Sequence, residues 1–226
     1  MWRLAWLAWL AAVVAAGCDA GINGDVTAGK GGASTVNGSV HVPAGEHIGP
    51  VGTVNGSIQV GDNAVVDAAH TVNGAVELGA RATADSVTAV NGPVTLEAGA
   101  HVTHSVTTVN GSLSLGNGAD VGGAIRNVNG RIELAGAHVG GGLRTVDGDI
   151  DISGASRVEG GILVQKSGGW FNLYSRPPRI VIGPGAVVEG DLRFERDVRL
   201  YVSDRATVGP VSGATAIRFS GDRPPG

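Results

Sequence analysis

Residues 53–60 have the sequence T-V-N-G-S-I-Q-V, and the word V-N-G within them returns along most of the chain. Its asparagine occupies Asn37, Asn55, Asn73, Asn91, Asn110 and Asn129, and Asp147 takes the next place in V-D-G. Successive occurrences lie 18 or 19 residues apart. A fixed period of this length is typical of repeat proteins, in which each repeat adds one structural unit to a stack.

A shorter period of six lies inside the long one. The apolar residues that follow it, all expected to point inward, are Val36, Val42, Ile48, Val54, Val60, Val66, Val72, Leu78, Ala84, Val90, Leu96 and Val102. Another apolar residue follows each V-N-G valine by four positions, as at Val40 and Ile58. Positions +4 and +6 share one face of an extended strand. The spacing of three and four that an amphipathic helix requires is absent.

These periods predict an all-β fold, a parallel β-helix or β-solenoid with triangular coils of about 18 residues. Each coil has three faces, and the coils stack through parallel strands. The core must be narrow, because residues 19–165 contain no Phe, Tyr or Trp. About ten coils at about 4.8 Å each give a rod of about 50 Å. Right-handed winding is favoured for parallel strands, and the left-handed hexapeptide helix is the alternative.

Each V-N-G word predicts a sharp corner. Asparagine tolerates left-handed backbone angles, and glycine adopts them without steric cost. Asparagine side chains stacked at equal spacing are expected to hydrogen-bond from one coil to the next as a ladder, with Asp147 as its last member. We interpret these residues as structural rather than as ligand contacts.

The N-terminal residues 1–17 are predicted to be a lipoprotein signal peptide. Arg3 precedes a short apolar stretch at 4–16, and small residues lead into Cys18, the only cysteine. The apolar stretch is too short to span a bilayer comfortably. The small residues before Cys18 resemble a bacterial lipobox, which implies cleavage and lipidation at Cys18, with the membrane as partner. Ordinary secretion with an incidental thiol is the alternative. The expected location is the bacterial cell envelope, at either membrane.

The remaining chain is predicted to be one β-solenoid domain at 18–219, followed by a tail at 220–226. The repeats occupy 22–165, an insertion 166–179 and the C-terminal coils 180–219. The insertion carries the candidate binding residues Trp170, Phe171, Tyr174, Arg176 and Arg179. These side chains could stack on a sugar or dock a protein partner. The alternative is a flap that folds back over an outer face and buries its own rings.

Composition and spacing give little sign of catalysis. The net charge of −4 and the presence of only two lysines exclude nucleic acid as an expected partner. His101 and His104 stand three apart on a strand, on opposite faces, and the six histidines are expected to be solvated on the outside. Asp149 and Asp151 should face outward if Ile150 points inward, which leaves calcium as an alternative. No catalytic residue, resident metal or cofactor is predicted.

Two stretches carry a family resemblance. I-V-I-G-P-G-A-V-V-E-G-D-L at 180–192 resembles the bactofilins, polymer-forming bacterial cytoskeletal proteins, and T-V-N-G-S-I-Q-V-G at 53–61 resembles an adhesin-type group of envelope proteins. The resemblance implies a solenoid that serves as a scaffold, an adhesin or a self-assembling element. Typical bactofilins are cytosolic and lack a lipobox. Alternative functions are a glycan- or peptidoglycan-binding module that uses the insertion, and a hexapeptide-type acyltransferase.

Overall fold

The computed structural model describes residues 19–166 and 176–224. In these two ranges the chain forms 29 strands and no helix, and every pairing between the strands is parallel. About ten coils of about 18 residues stack into a β-solenoid, which confirms the predicted fold class. The right-handed winding stays a prediction. Within the same ranges no helix is available that could cross a membrane.

The strands lie on three faces, numbered here in the order in which the chain meets them after each V-N-G corner. Face 1 is one continuous parallel sheet. Its strands are β2 (Val26–Thr27), β4 (Val40–Val42), β7 (Ile58–Val60), β9 (Val76–Leu78), β11 (Val94–Leu96), β14 (Leu113–Leu115), β17 (Ile132–Ala135), β20 (Ile150–Ser153), β23 (Arg179–Ile182), β26 (Arg199–Ser203) and β29 (Ala216–Phe219).

Faces 2 and 3 belong to a second sheet that bends around a corner. Face 2 contains β5 (His47–Ile48), β12 (His101–Val102), β15 (Asp120–Val121), β18 (His138–Val139), β21 (Arg157–Val158), β24 (Val187–Val188) and β27 (Thr207–Val208). Face 3 contains β1 (Asp19–Asn23), β3 (Ala33–Asn37), β6 (Val51–Asn55), β13 (Val106–Asn110), β16 (Ile125–Arg126), β19 (Leu143–Thr145), β22 (Ile162–Val164), β25 (Leu192–Phe194) and β28 (Val211–Ser212). Two long strands, β8 (Val65–Asn73) and β10 (Thr83–Asn91), run over both faces.

The core is a single column of small side chains, and each coil contributes three inward pairs. In the coil formed by residues 64–78 the pairs are Ala64 with Val66, Ala69 with Thr71, and Val76 with Leu78, all buried. Members of a pair are two residues apart, as strand geometry requires. The predicted inward residues on faces 1 and 2, from Val42 to Val102, are buried as expected.

On face 3 the prediction was wrong by one residue. Val54, Val72 and Val90 are only half-buried, and Val36 is 42% exposed. The preceding residue points inward instead, as Thr71 does in place of Val72. The cause is unequal corners. Two residues turn the chain from face 2 to face 3, four turn it from face 3 to face 1, and three turn it from face 1 to face 2 of the next coil. A strict period of six would need three residues at every corner, so it fails on face 3.

The inward threonines of face 3 help to hold the V-N-G corner. Thr53 and Thr71 donate their hydroxyl hydrogen to the carbonyl oxygen of the corner glycine one coil before, at 2.9 Å and 3.1 Å. Asn127 takes the same place and donates its Nδ2 hydrogen to the Gly111 carbonyl at 2.9 Å. At these three positions the polar side chain is tolerated in the core because it donates to a buried carbonyl, whereas the Thr108 hydroxyl is buried with no partner among the described residues.

The corner glycines are required mainly by close approach between coils. A Cβ atom on Gly56 would overlap the carbonyl oxygen of Gly38, and one on Gly74 would overlap that of Gly56. Gly74 has a positive φ of 158° but Gly56 has no left-handed φ, so backbone angle is not the common requirement. No corner asparagine adopts a positive φ, so the expected positive backbone angle is found only at corner glycines, among them Gly24 and Gly130.

Candidate functional site

The V-N-G corner carries a continuous amide ladder on the outside of the rod. Each asparagine donates an Nδ2 hydrogen to the Oδ1 of the asparagine one coil before, over 2.8–3.0 Å. The members are Asn23, Asn37, Asn55, Asn73, Asn91, Asn110 and Asn129. Because a carboxamide both donates and accepts, identical residues satisfy one another along the stack.

The ladder changes chemistry at Asp147. A carboxylate has no hydrogen to donate to the Oδ1 of Asn129. Asp147 instead accepts a hydrogen bond from the Arg196 guanidinium, and the same Nη1 donates to the Val146 carbonyl at 3.1 Å. Arg196 lies two coils further along the rod, and only 13% of its side chain is exposed. The guanidinium therefore occupies the corner at the level where the insertion leaves the coil.

The insertion departs from this corner, between β22 and β23. Asp149 binds the residues at its returning end: Arg176 donates Nη2 and Nη1 hydrogens to Asp149 at 2.6 Å and 3.2 Å, and the Arg179 backbone N–H donates at 2.8 Å. Burial alone would raise the pKa of Asp149, but these hydrogen bonds and the charges of Arg176 and Arg131 outweigh it and lower the pKa. Asp149 thus stays ionised and fixes the end of the insertion.

Among the candidate binding residues, the structure brings Arg176 and Arg179 to one place. The Arg179 guanidinium carbon lies 5.2 Å from the centre of the Tyr201 ring, within the range of a cation–π contact. Arg179 belongs to β23 rather than to the insertion, so the predicted insertion ends earlier than residue 179. Trp170, Phe171 and Tyr174 lie outside the described residues, and so does Cys18.

Two of the three acidic residues at 147–151, Asp147 and Asp149, bind arginines of the chain itself. Ile150 is buried, and Asp149 and Asp151 flank it outside the core, as predicted. Asp151 has no ion pair in the described part of the chain, and burial together with the charge of Glu133 raises its pKa, against the smaller effects of Arg131 and Arg179. Over residues 19–166 and 176–224 no group of three or more metal-ligating side chains assembles.

A second polar feature, the histidine–carboxylate column, runs along the outside of face 2. His101 Nδ1 lies 2.6 Å from Asp120 Oδ2, and His138 Nδ1 lies 2.5 Å from Asp120 Oδ1. His138 Nε2 lies 3.2 Å from Glu159 Oε1. Arg157 continues the column by pairing with Glu159 and Glu189. Histidine and arginine side chains therefore lie beside carboxylates of the same or a neighbouring coil along this face.

The histidines differ in their surroundings, and His70, which is half-buried, departs from the expectation of solvated histidines. The hydrogen bond from Asp120 raises the pKa of His138, burial opposes it, and Glu159 raises it further. His104 lies on the outside with its Nδ1 2.5 Å from Asp85. His70 is half-buried on face 3, and burial lowers its pKa. His101 and His104 bind different carboxylates and share no site.

Sequence reasoning missed the histidine–carboxylate column. Apart from Arg157 and Glu159, its members are not neighbours in sequence and belong to different coils. The signal was nevertheless available, because His101, Asp120 and His138 follow one another at the repeat spacings of 19 and 18 residues. Comparison with protein-family models, with curated proteins and with solved structures finds no match to this chain.

Proposed function

We propose that this chain is a non-enzymatic lipoprotein of the bacterial cell envelope whose β-solenoid serves as a rigid scaffold, adhesin or self-assembling element. The observation that carries the proposal is the unbroken stack: about ten coils are joined by backbone pairing on three faces, and an amide ladder adds a bond at one corner of most coils. Such a stack behaves as a stiff, nearly one-dimensional body. The small residues before Cys18 and the resemblance to bactofilins and adhesin-type solenoids support the envelope setting and the structural role.

The anchor and the rod are tested separately. In a bacterium that expresses the full chain, Cys18 should incorporate labelled fatty acid and the protein should sediment with membranes. The Cys18→Ser variant should lose both. Negative-stain microscopy of the purified protein should show rods that lengthen with protein concentration if it self-assembles. Unlabelled Cys18 would refute the lipoprotein proposal, and globular particles would refute the rod.

A second candidate function is a glycan- or peptidoglycan-binding module that uses the insertion. It is favoured by the fixed return of the insertion, where Asp149 holds Arg176 and the Arg179 guanidinium covers Tyr201. Aromatic and arginine side chains held at a fixed corner are suited to stacking on sugars. Trp170→Ala should abolish retention on purified peptidoglycan, whereas Gln59→Ala, on the outside of face 1, should retain it. Equal retention of both variants would refute this function.

A further inference from the structure

One outer column of the rod carries arginine in three of four successive coils. The outward residues of face 3 stack in register, from Thr107 through Arg126, Arg144 and Leu163 to Arg193. At about 4.8 Å per coil, the three arginines extend over about 14 Å. The chain as a whole carries a net charge of −4, so this arginine column is a local exception.

The arginine column differs from the histidine–carboxylate column of face 2. On face 2 each cation has a carboxylate in a neighbouring coil, as His138 has Asp120. On face 3 Arg126 and Arg144 stand directly next to each other, and neither guanidinium makes a hydrogen bond or ion pair within the described ranges. Arg193 pairs with Glu195 at 3.4 Å. Neighbouring like charges repel, and an anion bound between them would relieve that repulsion.

A shallow cleft of about 190 Å³ lies along this column. It is lined by Arg144, Leu163 and Arg193 and by glycines of the neighbouring corner, among them Gly142 and Gly160. These corner positions have no side chains because none would fit: a Cβ atom on either glycine would collide with the backbone of the adjacent coil. Asp191 also lines the cleft. Because its lining comes from successive coils, the cleft brings Arg144 and Arg193 to one site.

We propose that the arginine column binds a linear acidic polysaccharide lying along the rod. Guanidinium groups pair with carboxylates through two parallel hydrogen bonds, and repeated cations at regular spacing suit a polymer with repeated carboxylates. Leu163, between Arg144 and Arg193, offers an apolar surface for a sugar ring. The choice of a polysaccharide over other polyanions rests on the proposed envelope function. The site lies on a different corner from the insertion.

The test measures binding of polygalacturonate to the full chain in detergent. The wild type should bind, and binding should weaken as salt is added. Arg144→Gln combined with Arg193→Gln should weaken binding roughly tenfold or more. Arg157→Gln, which removes the same kind of charge from face 2, should change binding less than about twofold. Neutral dextran should not bind. Circular dichroism should show that both variants keep the strand content of the wild type.

Three results would overturn the proposal. The first is no binding of polygalacturonate, and the second is an equal loss in the Arg157→Gln control, which would indicate general charge attraction. The third is a DNA duplex that binds as tightly and with the same sensitivity to Arg144 and Arg193, which would identify nucleic acid as the ligand. Polygalacturonate binding is measured on purified protein, whereas the lipoprotein proposal is tested by fatty-acid labelling of Cys18 in cells. Absence of binding would therefore leave the labelling result unaffected, and each proposal can fail without the other.

Discussion

The V-N-G corner occurs in two chemical forms along the same rod, and they differ in what they require from the rest of the chain. From Asn23 to Asn129 the corner consists of identical amides that satisfy one another. At the next coil it carries two carboxylates, which need cations brought from other coils: Arg196 for Asp147 and Arg176 for Asp149. A repeat of identical amides can be extended coil by coil, whereas a charged corner must be built as a group.

The insertion leaves from the charged form of the corner. In both forms the corner glycine packs against the backbone of the coil before it, as Gly56 packs on Gly38 and Gly148 on Gly130. An insertion within the amide form would also break the ladder. Once Asp147 has ended the ladder and Arg196 fills the corner, the next coil is free to depart from the repeat. We infer that Asp147, the aspartate that takes the asparagine position, permits the insertion.

The largest expected effect comes from filling the tight amide corner. Gly56→Ala places a Cβ atom on the Gly38 carbonyl without any change in backbone region, because Gly56 has no left-handed φ. We expect a loss of about 3 kcal/mol in the free energy of unfolding, or a melting temperature about 6–12 °C lower. Thermal denaturation followed by circular dichroism measures this.

The same coil supplies the matched control for this substitution. Gly52 lies in β6, and a Cβ atom there would meet only the His70 carbonyl oxygen at an ordinary 3.6 Å. Gly52→Ala should therefore leave the melting temperature within about 2 °C of the wild type. If Gly56→Ala is equally harmless, close stacking does not explain the glycine column.

The next effect tests the charged corner. Arg196→Met leaves the Asp147 carboxylate half-buried beside Asn129 with its cation removed, and should cost about 2 kcal/mol. Adding Asp147→Asn to this variant supplies an amide that can donate to the Asn129 Oδ1 and extend the ladder. The double variant should recover most of the lost stability in a urea titration. Additive losses would show that the two corner forms are not interchangeable.

A smaller effect tests the reverse change inside the ladder. Asn73→Asp removes the hydrogen that Asn73 donates to Asn55 over 2.9 Å, and places a negative charge next to that oxygen. With the side chains exposed, the loss should be about 1 kcal/mol at neutral pH. Protonation of the new carboxyl restores a donor, so the loss should shrink in mild acid. Asn73→Ala, which cannot titrate, should show the same loss at both pH values.

How far the sequence predicts this structure depends on whether a feature follows the repeat. The period of 18 predicts the stack and the asparagine positions, because each coil repeats the same environment. The period of six misplaces Val72, because corners of two, four and three residues, with three strand segments of three residues each, still make up one coil of 18 although the corners are unequal. Arg196 and Asp147 were not predicted as partners, because Arg196 reaches across two coils and no repeat position requires it. The histidine–carboxylate column was missed for a similar reason: paired residues differ in type.

The smallest expected effect concerns two histidines, His138 on face 2 and His70 on face 3, whose pKa values shift in opposite directions. The raised pKa of His138 means that its contribution to stability is complete below its ordinary pKa of 6.5 and is lost as the pH rises through the higher folded value. His70 has the opposite sign: its lowered pKa gives stability above 6.5 that is lost as the pH falls. Relative to the wild type, His138→Gln should lower the melting temperature by about 1–3 °C near pH 5.5 and less near pH 8. The melting temperature of His70→Gln, relative to that of the wild type, should instead be higher near pH 5.5 than near pH 8. The reason is that no half-buried imidazole then has to be protonated in acid. If the two variants shift in the same direction with pH, the carboxylates beside His138 are not what distinguishes face 2 from face 3.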